Sequence, residues 1–426
     1  MGLRVLQVNT YHFRGGGDSS YTFNLADMLR ARGHQVAFFA MRDERNLPDP
    51  NEDLFVDNID FRDLNSRKGV ATGVTVLRRA VYSSEARRRF ARLLDRFQPE
   101  IVHLQNIHGH ITPSVLFEAR QRSLPVVWTL HDYKMICPNT HFLVDRTGEI
   151  CEACGRSRYY QAVLRRCKKG SLLASAMAAM EAYAHRLMRV RSRVNAFLAP
   201  SAFLRARLIE RGFPTERVVH LPHFVPPGMF RDSGLDDGYV LFFGKLRPIK
   251  GIAPLLQAAA LAPEVPLILA GRLAESLVHD LPGMLSPNVQ YVGMKDGQEL
   301  AHLVDRARAV VVPSLCYENQ PLSVLEAFAA GKPVIVSDVG GMTELVTHEE
   351  RGLLVPRGDV SALTAGLRWM MAHPADAREM GRIAQRYAME NHSADAHYEK
   401  LKRVYEQVGA AATDASPVLD QAAGQG

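Results

Sequence analysis

VPPGMFRDSGLDDG, residues 225–238, interrupts the chain near its middle with prolines, glycines and aspartates. Such a cluster continues neither a helix nor a sheet, because proline lacks an amide donor and glycine is costly to order. On each side of it stands a separate series of short β-branched runs and amphipathic stretches. Upstream, Leu3–Val8, Gln35–Phe39, Ile101–Leu104, Val126–Leu130 and Asn195–Ala199 read as strands, and Tyr21–Arg32, Glu85–Phe97 and Ser171–Met188 as helices. Downstream, Tyr239–Phe243, Leu267–Ala270, Val289–Val292, Ala309–Val312, Val334–Ser337 and Gly352–Val355 repeat the pattern. Strands separated by helices pair in parallel, and parallel sheets are covered on both faces. With the linker at Pro226–Gly238, the reading is an α/β chain of two open, doubly wound domains rather than one closed barrel.

The 426 residues are 47% hydrophobic and carry 52 Lys and Arg against 45 Asp and Glu, a formal charge of +7. This composition supports a globular chain with sizeable cores, at two or three domains of about 150 residues each. No apolar run approaches the ~18 residues of a spanning helix. The opening MGLRVLQVNTYHF lacks the parts of a signal peptide. A secreted, disulfide-scaffolded or membrane-spanning protein is disfavoured, and a cytoplasmic location is expected. The expected organisation is a first domain over 1–228 with a Cys-rich insertion at 137–170, and a second over 238–390. A helix at 391–408 would pack back on the first domain, and a disordered tail would occupy 409–426.

The charge is unevenly placed. Residues 1–225 hold 34 basic against 21 acidic residues, or +13, and residues 226–426 hold 18 against 24, or −6. Any anionic partner therefore belongs to the first half, although solvated arginine-rich helix faces would give the same count. One basic run, Arg165, Arg166, Lys168, Lys169, Arg186, Arg189, Arg191 and Arg193, brackets Met177, Met180, Tyr183, Leu187 and Met188 at helical spacing. A core-facing stripe with a solvated basic edge is the commoner arrangement; the other is a peripheral contact with the inner membrane face. No aromatic-basic recognition module is seen, so nucleic acid is not an expected partner.

Two glycine turns and an acidic loop carry the chemistry. Strand Leu3–Val8 runs into Phe13-Arg14-Gly15-Gly16-Gly17-Asp18, where backbone amides can approach an anion at a helix start; a tight turn alone would use the same glycines. The run is not G-x-G-x-x-G, and no acid follows Gln35–Phe39, which disfavours a dehydrogenase. The second domain opens with Phe243-Gly244-Lys245-Leu246-Arg247-Pro248-Ile249-Lys250-Gly251, where Arg247 and Lys250 can converge on one anion such as a pyrophosphate. Then comes Tyr317-Glu318-Asn319-Gln320-Pro321-Leu322-Ser323-Val324-Leu325-Glu326, with Glu318 in a strand-to-helix loop and Glu326 on the helix Pro321–Ala330. Carboxylates suit sugar hydroxyls because they accept hydrogen bonds, and Glu326, set among apolar neighbours, needs a partner.

These motifs together, with Ala329-Ala330-Gly331-Lys332-Pro333-Val334-Ile335-Val336-Ser337-Asp338-Val339-Gly340-Gly341, resemble the retaining glycosyltransferases of family four over most of residues 1–405. The resemblance implies a GT-B fold, two Rossmann-like domains facing a cleft, with the nucleotide-sugar donor on the second and the acceptor on the first. It implies transfer from a UDP- or GDP-sugar to a glycan or lipid-linked acceptor, in cell-surface polysaccharide biosynthesis and without a divalent ion. Arg247 and Lys250 would hold the diphosphate, Glu326 the ribose, and Glu318 a hydroxyl of the transferred sugar. Gly16, Gly17 and Gly244 would approach the donor, with Asn319, Gln320, Pro321 and Leu322 presenting main chain to phosphate. Relatives often carry Gly-Phe where Asn319-Gln320 stand. His131, after strand Val126–Leu130, resembles the family's active-site histidine. Gln105 stands where relatives have a second histidine and is given no catalytic role. The other classes to separate are a nucleotide-sugar epimerase and a non-catalytic sugar-nucleotide-binding protein.

Cys137, Cys151, Cys154 and Cys167 fall in one segment after His131, with Cys316 apart. A C-x2-C flanked by a cysteine on each side fits a four-thiolate structural zinc site; small buried thiols are the alternative.

Overall fold

The computed structural model describes residues 2–58 and 81–414. The first domain is a six-stranded parallel sheet built from β1 (Arg4–Val8), β2 (Gln35–Phe39), β3 (Ile101–Leu104), β4 (Val126–Thr129), β7 (Ala196–Ala199) and β8 (Val218–His220). Its order is β2-β1-β3-β4-β7-β8. Strands β3, β4 and β7 are buried at every position, as a sheet covered on both faces demands. The second domain repeats the plan with β9 (Val240–Phe243), β10 (Leu267–Ala270), β11 (Val289–Tyr291), β12 (Ala309–Val312), β13 (Val334–Ser337) and β14 (Gly352–Val355), in the order β11-β10-β9-β12-β13-β14. Both sheets are wholly parallel, the two-domain GT-B arrangement that the alternating pattern and motifs led us to expect.

The strand β8 was not anticipated; only Val218 of its three residues is buried, too little for a periodic signal. The first helix begins earlier than its apolar pattern, at Gly17, because Gly16 can serve as its extended N-cap and Asp18 favours the first turn. The linker is less independent than its composition implies. Phe230 is buried in the second core, and Asp236 and Asp237 pair with Arg308 and Arg306, each at 2.7 Å.

Between β4 and β7 lies the insertion, with a two-stranded antiparallel ribbon of β5 (Leu143–Val144) and β6 (Glu149–Ile150) and the helices Tyr160–Leu164 and Leu172–Leu187. The last described helix, Ala394–Asp414, returns to the first domain. Leu401, Val404, Tyr405 and Val408 pack there with Val5, Tyr21, Leu25 and Val127, and the Tyr405 hydroxyl lies 2.7 Å from His103 Nδ1. This helix runs past Gly409 to Asp414, where a disordered tail was expected to have begun already; residues 415–426 lie outside the described ones. Among the described residues, no helix is long and apolar enough to cross a membrane.

Candidate functional site

In a doubly wound sheet the chain reverses its direction of growth at one strand pair, and the loops beyond the carboxyl ends of those strands part to leave a crevice. Here the reversals fall between β1 and β3 in the first domain and between β9 and β12 in the second. The loops after all four strands line a single cavity of about 460 Å³ between the domains. From the first domain come Gly15, Gly16, Gly17, Asp18, Asn106 and His131. The second supplies Gly244, Lys245, Arg247, Lys250, the segment Cys316–Ser323 and Glu326. Every residue that the sequence pointed to for donor binding or catalysis thus reaches this one space.

The cations lie on one loop. Gly251, at φ 75°, sits where a Cβ would come within 1.9 Å of the Pro313 carbonyl, so only glycine lets the loop after β9 dock against the end of β12. That contact brings Lys250 Nζ to 2.5 Å from Glu318 Oε1, which Ser314 Oγ also contacts at 2.5 Å. Burial alone would raise the Glu318 carboxyl, but the charge and hydrogen bond of Lys250, with Ser314 and His141, outweigh it and hold the group below its ordinary value. Lys250 is shifted upward because Glu318 outweighs its burial. Lys245 was passed over in the sequence although it stands between Gly244 and Arg247. It reaches across the cleft, where a Cβ on Gly16 would lie 2.7 Å from its Nζ. Burial lowers the Lys245 ammonium, partly offset by Asp18. Glu326 has the opposite character to Glu318: burial alone pushes it up to about 7.

Asn319 and Gln320 use their side chains to join the domains. Asn319 donates to the Leu130 carbonyl at 2.8 Å and accepts from Ser201 Oγ at 2.7 Å. The His223 amide donates to Gln320 Oε1, and Tyr133 OH donates to the Glu318 carbonyl at 3.0 Å. Both side chains are thus engaged with the first domain, beside the start of the helix Leu322–Ala329.

His131 Nε2 lies 2.7 Å from Gln105 Oε1, and the ring stacks on His223 with centroids 5.3 Å apart. Burial takes His131 down to about 4, so the imidazole is neutral at physiological pH. Sequence reasoning missed His141 as well, because it lies inside the cysteine segment. It faces Arg247, Glu318 and Lys250, and burial, then Arg247, lowers it to about 4.

The zinc expectation finds no support in the side-chain arrangement. Among the described residues no three of His, Cys, Asp or Glu form a group that could hold a metal ion. Cys137 belongs to the main core of the first domain, and Cys154 and Cys167 pack with Val144, Tyr159, Ala162 and Ala179. Burial, reinforced by neighbouring thiols, pushes Cys154 and Cys167 up to about 12. Their packing is that of small buried thiols.

Two facing doubly wound domains with a ligand cavity at their switch points define the GT-B class. Residues 15–228 match the model for Glycosyltransferase Family 4, and residues 230–387 that for Glycosyl transferases group 1. The chain belongs to Glycosyltransferase Family 4. It is 33% identical over 178 residues to D-rhamnosyltransferase WbpZ of Pseudomonas aeruginosa, a match covering 41% of this chain and 45% of that one. The chain thus spans less than half the length of this curated relative. Among solved structures, sucrose-phosphate synthase from Thermosynechococcus elongatus superposes with a TM-score of 0.69 at 20% identity, covering 96% of this chain and all of that one. Anabaena Alr3699/HepE in complex with UDP gives 0.66 at 15% identity, covering 95% and 100%.

Proposed function

We propose that this protein transfers a sugar from a nucleoside-diphosphate sugar to an acceptor hydroxyl, with retention of the anomeric configuration. The observation that carries the reading is the convergence of Lys245, Arg247 and Lys250 beside Glu318 and Glu326 in one interdomain cavity. Breaking the anomeric bond leaves negative charge on the diphosphate and positive charge on the sugar ring. The three cations, with amides at the start of helix Leu322–Ala329, stabilise the leaving group in a partly desolvated cleft. They supply the positive charge that a divalent ion would otherwise bring, so turnover proceeds without one. Glu326 accepts hydrogen bonds from the ribose and Glu318 from the transferred sugar. His131, neutral through its burial, hydrogen-bonds to the sugar without setting a cation against the developing positive ring. The acceptor, a glycan or lipid-linked hydroxyl on the first domain, attacks from the face the diphosphate leaves, and a diphosphate oxygen takes its proton.

The named activity of WbpZ and the UDP held by Alr3699/HepE support a sugar-nucleotide donor, UDP- or GDP-linked. Thermal-shift measurements with UDP-, GDP- and ADP-sugars identify the donor, because a ligand that binds only the folded chain raises its midpoint. NMR of the product made with excess EDTA then gives the anomer. The expected result is one stabilising donor and a retained anomer; an inverted product, an epimerised free donor or abolition of turnover by EDTA would each overturn the reading.

A further inference from the structure

The insertion after β4 exposes an apolar face that the fold leaves bare. In the helix Leu172–Leu187, Ser175, Ala178 and Ala179 are the buried positions. At 100° per residue, Leu172, Leu173, Ala176, Met180, Tyr183 and Leu187 fall within an arc of about 100° on another face. Leu173 is 70% exposed, Leu187 85%, and Leu164 on the adjoining helix 71%. Leu172, Met180, Tyr160 and Tyr183 are exposed as well. The two helices pack together, and Tyr183 OH accepts from the Tyr160 amide at 3.2 Å, so these side chains form one continuous patch. The stripe that the sequence pattern assigned more readily to the core therefore faces outward over most of its length.

Charge tells what covers it. Residues 160–189 contain six basic residues and one acid. The acid, Glu181, is turned inward and pairs with Lys134 at 2.7 Å. Arg165, Arg166 and Lys169 are exposed at one end of the patch, and Arg186 and Arg189 at the other. An apolar stripe rimmed by cations at both ends complements a surface that is apolar within and anionic at its rim. A second copy docking by two-fold symmetry would set these cations against one another.

We infer that this face docks the protein on an anionic lipid bilayer, with the apolar side chains at the acyl boundary and the arginines and lysines among the headgroups. Lys134, which holds the helix through Glu181, is three residues after His131, so the docking face and the cavity share one short segment. Resting on the sugar-transfer reading, this placement specifies a lipid-linked acceptor, presented from the bilayer to the first domain.

Co-sedimentation with vesicles tests the surface without donor or acceptor, so its failure leaves the transfer reading standing. Vesicles of phosphatidylcholine with about 30% phosphatidylglycerol are expected to bind the full chain at low salt, and pure phosphatidylcholine far more weakly. The triple variant R165S/R166S/K169S should reduce binding about a hundredfold, and L173E/L187E at least about tenfold. All five positions are exposed, and unchanged melting temperatures show that the variants fold. No binding to anionic vesicles, or binding that both variants retain, would overturn the inference. So would a concentration-dependent dimer that L173E/L187E abolishes, which would make the face a contact between copies.

Discussion

Lys250 Nζ and Glu318 Oε1 stand 2.5 Å apart, on loops that follow the neighbouring strands β9 and β12. Each keeps the other ionised against burial, the carboxyl shifted below its ordinary value and the ammonium above. When a donor enters, its phosphate can take Lys250 while a sugar hydroxyl takes Glu318. On the proposed reading, the pair is the unliganded state of two binding groups.

Lys250→Met leaves a buried carboxylate without its main partner, whereas Lys250→Met combined with Glu318→Gln removes both charges. The single variant should melt below the double variant, since an orphaned buried charge costs more than the loss of the pair. Both should lose about a hundredfold or more in kcat, because the leaving-group cation is gone from each. Calorimetry and steady-state kinetics on the three proteins check the two halves separately. Equal melting temperatures for the single and double variants would show that the pair does not hold the site together.

Glu326 gives a pH dependence whose sign follows from its shift. Burial raises its carboxyl to about 7, so between the ordinary value near 4.5 and about 7 the folded chain binds a proton that the unfolded chain has lost. Stability from this group is full below that window and is lost as pH rises through it. Glu326→Gln should therefore melt above the wild type at pH 8 and with it at pH 4.5. Donor affinity behaves oppositely. If, as proposed, the carboxylate accepts the ribose hydroxyls, affinity should fall as pH drops below about 7 in the wild type and be low and flat in the Gln variant. Titration calorimetry with the nucleoside diphosphate at several pH values reads this directly.

Much of this site was legible because its parts are local. Glycines at strand ends, two cations three residues apart, and Glu318 eight residues before Glu326 each follow from one loop and one helix. What was hidden depends on which strands are neighbours. Lys245 lies in the same run as Arg247, yet only the closed cleft brings it to Gly16. His141 enters the cavity from a segment whose cysteines drew the metal reading, and no spacing rule records whether thiols converge. The outward turn of Leu173 and Leu187 was equally hidden: helical periodicity finds a stripe but not the side that the small residues Ser175, Ala178 and Ala179 bury. Neither Asn319 nor Gln320 announces in sequence that its side chain will join the two domains.

The glycine pair at 340–341 supports the loop of Glu318 from beneath. Gly341 donates to the Glu318 carbonyl at 2.8 Å, and a Cβ on Gly341 would fall 1.7 Å from the Asn319 carbonyl oxygen. That neighbour is backbone and cannot rotate away. Gly341→Ala should therefore shift the loop, weaken the Asn319 bridge to Leu130 and raise the donor Kd at least about tenfold, with a stability loss of about 2 kcal/mol or more. Gly109→Ala is the control. Its φ of 94° also disfavours a side chain, but no heavy atom lies within 4 Å of the added Cβ. It should lose stability and leave donor affinity unchanged.

On the proposed reading, Gln105 positions His131. Its Oε1 lies 2.7 Å from His131 Nε2, its Nε2 donates to Gln7 Oε1 at 2.9 Å, and its carbonyl accepts from Trp128 Nε1 at 2.8 Å. With the amide group of Gln105 spent on Gln7, its oxygen accepts from His131, which places the imidazole proton on Nε2. Gln105→Leu keeps the volume and removes this restraint. It should lower kcat about tenfold or more with a smaller change in donor KM, because orientation matters most in the transition state. Gln105→Glu sets a buried carboxylate against the same nitrogen, which favours the imidazolium and raises His131 from about 4 toward neutrality. An imidazolium beside a developing positive ring opposes transfer. The Glu variant should therefore lose activity as pH falls from 8 to about 6, over a range in which His131 of the wild type stays neutral. A merely structural Gln105 would shift melting temperature in both variants without adding that limb to the pH profile.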